Sequence, residues 1–132
     1  SKESREFAQA ILQTLGIEIH VSEENYMDMA TALSASGPAY TFLFIEALID
    51  AGVYLGLPRE MARTLSLETV LGSCKLMKET GQHPAQLRDM VTSPGGTTVE
   101  GLLSLEEGGM RATVLNAVLA AYEKALELGG KE

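Results

Sequence analysis

The chain has 132 residues, the size of one compact domain, and 45% of them are hydrophobic, which is enough to build a core. Aromatic residues make up only 5% and tryptophan is absent, so aliphatic side chains in packed helices are expected. The net charge of -8 with only 10 Lys and Arg excludes the basic surface that nucleic-acid binding needs.

The cysteine count and the hydropathy indicate the cellular location of the protein. Cys74 is the single cysteine and cannot form an internal disulfide, which favours a reducing, cytoplasmic location. The first residues are charged, so no signal peptide is expected. The charge-free run at 29–45 contains Ser, Thr, Gly and Pro, and we expect it to be too interrupted to span a membrane.

The first 21 residues have a different pattern from the rest. Residues 4–15 carry apolar side chains at spacings of three and four, which predicts an amphipathic helix that ends at Gly16. Residues 17–21 (IEIHV) alternate apolar and polar, which predicts a short strand. A lone strand has no partner in a helical domain. We therefore expect residues 1–21 to be the tail of a preceding α/β domain and residues 22–132 to be a helical domain.

From Ser22 onward the pattern is helical throughout, and glycine and proline divide it into segments. SASGP at 34–38 is expected to interrupt the first of these helices. The later predicted helices run over about 38–55, 58–80, 84–91, 97–107 and 110–128. The sequence thus predicts an all-α helical bundle.

Two of these segments, 39–55 and 112–122, are apolar nearly all round. Such a helix must be buried on almost every side, and one domain of this size can hardly surround two of them. We expect a second copy of the chain to cover them, because large apolar surfaces are not left in water. The alternative is one well-covered core helix and one loosely packed terminal helix.

The segment VTSPGGTTVEG at 91–101 is the candidate site. Gly95 and Gly96 allow a ligand to approach the backbone. Thr97 is expected to cap the next helix, with Glu100 three residues later completing a capping box. The N–H groups and dipole of a helix start favour an anion, either carboxylate or phosphate.

Hydroxyl groups of Ser93, Thr97 and Thr98 add possible donors to this segment. The competing interpretation is an ordinary capped turn between two helices, and capping boxes are common enough to put it slightly ahead on spacing alone. Glu100 opposes an anion site, because its charge repels the ligand unless it points away or is used in the cap.

Other chemistry-bearing residues are interpreted as structural. His20 is expected on the surface, His83 at a helix start beside Pro84, and Cys74 in the core among Leu and Met. No His, Cys or carboxylate group has metal-ligand spacing, so no metal site is expected. No glycine-rich dinucleotide motif follows a strand.

Several segments resemble one family, the pyrroline-5-carboxylate reductases. They are ALSASGPAYTF (32–42), LGLPRE (55–60), TGQHPAQLRDMVTSPGGTTVEGLLSLEEGGMR (80–111) and NAVLAA (116–121). The block around DMVTSPGGTT is the most specific. The resemblance covers the chain from about Glu23 to its end, and residues 1–21 resemble the last helix and strand of the family's nucleotide-binding domain.

The resemblance implies the reduction of 1-pyrroline-5-carboxylate to proline, the last step of proline biosynthesis, with NADPH or NADH. It implies a Rossmann domain followed by an all-helical domain, whose copies interlock into dimers that form decamers in some members. The sequence is therefore interpreted as the dimerisation and substrate-binding part of an oxidoreductase, inactive without its Rossmann domain. The alternative is a non-catalytic helical assembly module with an anion-binding loop.

The resemblance also implies roles for individual residues. Substrate carboxylate would be held by the Ser93 hydroxyl and by backbone N–H groups in the loop that contains Gly95, namely those of Gly96, Thr97 and Thr98. Thr98 is the candidate catalytic residue, because its hydroxyl faces the ring nitrogen in the family.

The nicotinamide is expected near a second segment, Ser36, Gly37 and Pro38, where Ala35 replaces a family glycine. The choice between NADPH and NADH, between dimer and decamer, and between this and a related cyclic imine is left open by the sequence.

Overall fold

The computed structural model describes residues 2–130, and all regular structure in that range is helical. The elements are α1 (Lys2–Gln13), α2 (Asn25–Ala30), a π-helical turn (Thr31–Ala35), α3 (Gly37–Tyr54), α4 (Arg59–Thr80), α5 (Pro84–Met90), α6 (Thr97–Glu107) and α7 (Met110–Leu128). The all-α class is confirmed, and the predicted bounds of α6 and α7 agree with the structure.

The N-terminal strand does not form. Helix α1 ends close to its predicted position, but residues 17–21 are irregular and pair with no strand among residues 2–130. The prediction of a strand there is wrong for this chain, because an alternating pattern forms a strand only where a second strand supplies its hydrogen bonds. Helix α1 itself buries no residue.

The predicted interruption at 34–38 is also wrong. The N–H of Ser36 donates to the carbonyl of Thr31 at 3.0 Å, so a π-helical turn carries α2 directly into α3. Such a turn accommodates an extra residue without unwinding the helix, and Pro38 lies in the first turn of α3, where a missing N–H is tolerated.

This continuity changes the expectation about membranes. The run Asn25–Tyr54 forms 30 continuous helical residues, and its most apolar 18-residue window has a mean hydropathy of 1.3, so the run is long and apolar enough to cross a membrane by length and composition alone. Only 6% of its most apolar window is buried in the single chain. An apolar helix that packs against another subunit has the same properties, so these two explanations must be separated by other observations.

Helices α3 and α4 form a hairpin around the turn at 55–58. They pack closely at Gly52 and Ala62, where a Cβ on Gly52 would lie 2.9 Å from the Cβ of Ala62. Ala62 is 1% exposed and Ser66, one turn further along α4, is 9% exposed. The hairpin therefore depends on small residues that let two backbones come together.

Helix α7 packs across α2, the π-helical turn and α6. Ala32 in the π-helical turn is 1% exposed. The hydroxyl of Tyr40 in α3 donates to the carbonyl of Ala117 in α7 at 3.5 Å. This long hydrogen bond connects the α3–α4 hairpin to α7.

The single chain has almost no core of its own. Ala32 and Ala62 are its only buried hydrophobic residues among those described, and no large side chain is fully buried. A compact monomer of 14.1 kDa is expected to expose about 6,700 Å², whereas this chain exposes 10630 Å². An excess of roughly 3,900 Å² per chain, or roughly 7,800 Å² for two chains, is more than enough for an obligate interface, which buries about 2,000–5,000 Å² summed over both partners.

The exposed surface includes the two helices predicted to be buried on all sides. Neither α3 nor α7 contains a residue that the single chain buries. Cys74, expected in the core, is exposed on α4, because one chain alone supplies nothing to cover that face. A second apolar surface is therefore needed to complete the fold.

Candidate functional site

The site is built on the segment from α5 to the start of α6, and it begins with the cap of α5. Nδ1 of His83 accepts a hydrogen bond from the N–H of Ala85 at 3.2 Å, and the N–H of His83 donates to Oε1 of Gln86 at 3.2 Å. The prediction that His83 serves a helix start is confirmed. Pro84 occupies the first turn, where it loses no hydrogen bond.

The loop between α5 and α6 (residues 91–96) is a tight turn. The N–H of Gly96 donates to the carbonyl of Ser93 at 3.0 Å. Proline at the second position and Gly95 at the third, with a φ of 66°, are typical of a type II turn. Because this conformation is open to glycine and strained for other residues, Gly95 is explained by the backbone alone.

Helix α6 begins without a side-chain cap. Its N-cap is Gly96, and no side-chain hydrogen bond closes the helix start. The predicted capping box of Thr97 with Glu100 is therefore wrong: Thr97 is already the first helical residue, one position too late to act as the cap. The N–H groups of Thr97 and Thr98 have no carbonyl partner within the helix, so they are left for a ligand.

Threonine hydroxyls distinguish this site from the rest of the chain. Thr97 and Thr98 form no side-chain hydrogen bond among the described residues, and Thr98 is half-buried. The other threonines each donate to a carbonyl three or four residues earlier; they are Thr14, Thr31, Thr41, Thr64, Thr69, Thr80, Thr92 and Thr113. A helix start supplies no such carbonyl, so these two hydroxyls remain available.

Gly96 has a different role from the one expected. Its N–H is used in the turn to Ser93, so it is not a free donor in this conformation. Its missing side chain matters instead, because a Cβ at Gly96 would collide with Oγ of Ser93 and lie 3.1 Å from the Ser93 carbonyl oxygen. Gly96 thus allows Ser93 to fold back over the start of α6.

We predict that Gly96→Ala destabilises the chain by about 1–2 kcal/mol, because the backbone allows alanine but the new Cβ displaces Ser93. Gly101→Ala is the control: nothing lies within 4 Å of its added Cβ, and alanine should stabilise α6 by about 0.5–1 kcal/mol. Thermal unfolding of the two variants measures the difference. Equal stabilities would contradict the close packing of Ser93 on Gly96.

Charged residues surround the second half of α6 rather than its start. Nε of Arg111 donates to both carboxylate oxygens of Glu106 at 2.8 and 3.0 Å, across the turn between α6 and α7. Hydrogen bonding and charge from Arg111, and a weaker attraction to Arg88, lower the pKa of Glu106. Glu100 is exposed in the first turn of α6, so its charge is solvated.

The two predicted parts of the site lie at the starts of different helices. Ser36, Gly37 and Pro38 lie at the start of α3, which packs on α4 and the π-helical turn. The loop at 93–98 leads into α6, which packs on α7. The residues expected at the carboxylate lie together in one loop, and the residues expected at the nicotinamide lie on another element.

Sequence reasoning missed two features of this region. One is the partner of His83: Gln86 stands three residues later, which is the spacing of a capping box with unusual residue types. The other is the ion pair of Glu106 with Arg111. These residues are five positions apart across a Gly-Gly turn, so the three- or four-residue spacing of ion pairs within a helix does not predict it.

Comparison with known proteins gives a consistent result. The pyrroline-5-carboxylate reductase dimerisation family matches residues 24–128. A pyrroline-5-carboxylate reductase from Synechocystis is 53% identical over 124 residues, covering 94% of this chain and 46% of the relative. The relative from Glycine max is also 53% identical, over 84% of this chain and 40% of its own length.

Solved structures of similar proteins have the same fold. The Plasmodium falciparum pyrroline carboxylate reductase, crystallised with NADP bound, superposes with a TM-score of 0.91 at 46% identity and covers 98% of this chain. The Coxiella burnetii enzyme superposes with a TM-score of 0.91 at 44% identity and covers 97%. This chain spans 49% and 47% of those two chains, about half of each.

The match covers all the helices from α2 to α7 and includes the loop at 93–98. It leaves α1 and the irregular residues after it outside the family boundaries. The chain therefore belongs to the pyrroline-5-carboxylate reductase dimerisation family.

Proposed function

We propose that this chain is the substrate-binding and dimerisation part of an enzyme that reduces 1-pyrroline-5-carboxylate to proline with a nicotinamide cofactor. The observation that carries the proposal is the start of α6, where two N–H groups and two hydroxyls are unused beside a tight turn. A planar carboxylate needs several donors on one side, and an uncapped helix start provides them together with a favourable dipole.

In this proposal, different residues of the loop have different roles in binding the substrate. The N–H groups of Thr97 and Thr98 and the hydroxyl of Ser93 hold the carboxylate, while Gly95 and Gly96 shape the turn. Gly96 contributes by lacking a side chain, since its own N–H is engaged in the turn. The solvated position of Glu100 weakens its repulsion of the ligand.

Thr98 acts on the bond that is reduced. Hydride addition to a C=N bond requires that the nitrogen be protonated or hydrogen-bonded, so that the carbon accepts the hydride. A threonine hydroxyl is too weak an acid to be an efficient general acid alone. We assign Thr98 to orienting the ring and donating a hydrogen bond to its nitrogen, with the proton itself drawn from water.

The residues present fit only one edge of a nicotinamide cofactor. Residues 24–128 contain no glycine-rich dinucleotide motif after a strand, so nothing here suits the pyrophosphate. Ser36 and Gly37, which are half-buried, and Pro38, which is exposed, lie at the start of α3 and are proposed to face the nicotinamide end. When bound, NADPH or NADH supplies the hydride, and we propose that residues outside this chain hold most of it.

A homodimer accounts for the exposed apolar surface. The family description includes dimerisation, and one chain exposes roughly 3,900 Å² more than a compact monomer of its mass. A cytoplasmic location is part of the same proposal, with a decamer of such dimers as the alternative assembly. Residues 1–21 are proposed to belong to a preceding nucleotide-binding domain, on their position outside the matched range.

The dimer also explains the apolar run Asn25–Tyr54 better than a membrane does. The run is matched within a dimerisation family, and it carries a π-helical turn and hairpin contacts to α4 that a second subunit can extend. The alternative from the sequence, a non-catalytic assembly module, is not favoured. The matched relatives are named as reductases, and the match to them includes the loop as well as the helices.

Titration of the isotopically labelled chain by NMR tests the carboxylate site. We expect L-proline to shift the amide signals of Gly95–Thr98, because the free N–H groups bind its carboxylate. Pyrrolidine, which has the same ring without the carboxylate, should leave them unchanged. Equal shifts with both compounds, or shifts with neither, would contradict a carboxylate site on this loop.

A further inference from the structure

Helix α5 is short and unusually dependent on its cap. It has only seven residues, fewer than an isolated helix needs for stability in water. Among α2 to α7 it is also the one helix whose start has a reciprocal side-chain cap, made by His83 and Gln86. A good cap stabilises a helix by about 1 kcal/mol, which is a large share of what holds so short an element.

Hydrogen bonds run without a gap from this cap into the loop. The carbonyl of Arg88 accepts the hydroxyl of Thr92 at 2.6 Å and the N–H of Val91 at 3.2 Å. The N–H of Thr92 donates to the carbonyl of Asp89 at 3.1 Å, and the next residue begins the type II turn. The last turn of α5 therefore sets the direction in which the loop leaves it.

We propose that His83 is a positioning residue for the proposed substrate loop: its imidazole caps α5, and the capped helix fixes residues 91–96 so that the N–H groups of Thr97 and Thr98 face the substrate. This inference rests on the proposed function for the direction of its effect on substrate binding. The structural part, that the cap orders the loop, stands without it.

The geometry specifies what a replacement must supply. Nδ1 of His83 accepts the N–H of Ala85, and it must carry no proton to do so. Asparagine and aspartate are preferred N-cap residues and place an acceptor at a similar position. Alanine supplies none. The series His83→Ala, His83→Asn and His83→Asp thus separates the cap from any other property of the imidazole.

Hydrogen exchange of the 132-residue chain, read by mass spectrometry, tests the structural part. We expect His83→Ala to raise exchange about fivefold in residues 84–96, which corresponds to the loss of a cap. His83→Asn should remain within about twofold of the unmodified chain, because it restores the acceptor. His20→Ala is the control, since His20 lies in the irregular segment after α1 and is exposed.

A second variant, Gln86→Ala, removes the other half of the cap and should change exchange in the same direction by a smaller factor. If His83→Ala does not fold, Gln86→Ala still tests whether the cap orders the loop. Unchanged exchange in residues 91–96, where the amides of Val91, Thr92 and Gly96 are hydrogen-bonded, would overturn the proposal if it occurred in both variants. So would failure of both His83→Asn and His83→Asp to restore protection, because the imidazole would then act by something other than capping.

Steady-state kinetics of the full-length protein tests the link to substrate. His83→Ala should raise KM for 1-pyrroline-5-carboxylate by three- to tenfold while KM for the cofactor stays within twofold, and His83→Asn should restore it. A general folding defect would instead raise KM for both the imine and the cofactor. If the unmodified protein does not reduce this imine, the proposed function fails, while the exchange experiment still decides whether the cap orders the loop.

Discussion

Leu115→Asp is expected to abolish the folded state of the chain rather than release a folded monomer. Leu115 lies on α7, is 60% exposed in the single chain, and lines an apolar groove of about 580 Å³ with residues of α6 and the π-helical turn. A dimer would bury this groove, and an unpaired carboxylate there costs several kcal/mol. A single chain with only two buried hydrophobic residues in the range 2–130 has no stability to offset that loss.

Circular dichroism and light scattering over a range of concentrations measure this effect. The unmodified chain should be a dimer whose unfolding midpoint falls on dilution, because folding and association are linked. Lys124→Asp is the control on the same helix: it lies at an exposed ion pair with Glu127 and should change stability by no more than about 1 kcal/mol. A monomeric Leu115→Asp that unfolds cooperatively would show that one chain has a sufficient core.

Thr98→Ala is expected to lower kcat/KM of the full-length protein by about 100-fold, the usual consequence of removing one donor aimed at the reacting group. Thr98 is half-buried at the second position of α6, and its hydroxyl has no partner among the described residues. Alanine keeps the backbone N–H and removes only the hydroxyl, so binding of the carboxylate should change little. Steady-state kinetics with varied imine measures both constants.

Two companion variants make this result specific. Thr98→Ser keeps the hydroxyl and should lower kcat/KM only a few-fold. Thr97→Ala removes the neighbouring, exposed hydroxyl while keeping its N–H, and its effect should be much smaller than that of Thr98→Ala. Unchanged kcat/KM in Thr98→Ala would remove Thr98 from the reaction and leave the loop as a carboxylate site alone.

Much of the helical architecture was predictable because glycine and proline mark its boundaries. Gly81 ends α4 with a φ of 64°, and the Gly-Gly pair before Met110 separates α6 from α7. The loop at 93–98 was also predictable as a turn, since Pro94 fixes its own φ and Gly95 permits the positive φ that the turn needs. These predictions hold because each depends only on residues adjacent in the chain.

The errors occur where an outcome depends on partners that are distant in sequence or absent from one chain. The alternating residues 17–21 form no strand, because no second strand is beside them. Cys74 sits in an apolar helical sequence, yet one chain does not cover its face of α4. Whether an apolar face is buried is a property of the assembly, which the pattern of a single chain indicates but does not provide.

The sequence by itself determined the helical class, the loop and the need for an apolar partner surface, because composition and backbone restriction are local properties. Tertiary structure decided which helix is capped. Thr97 with Glu100 and His83 with Gln86 have the same spacing, but only the second pair lies at a cap, since the type II turn places Gly96 at the N-cap of α6. That difference of one residue leaves the N–H groups of Thr97 and Thr98 unused, and with them a site for an anion.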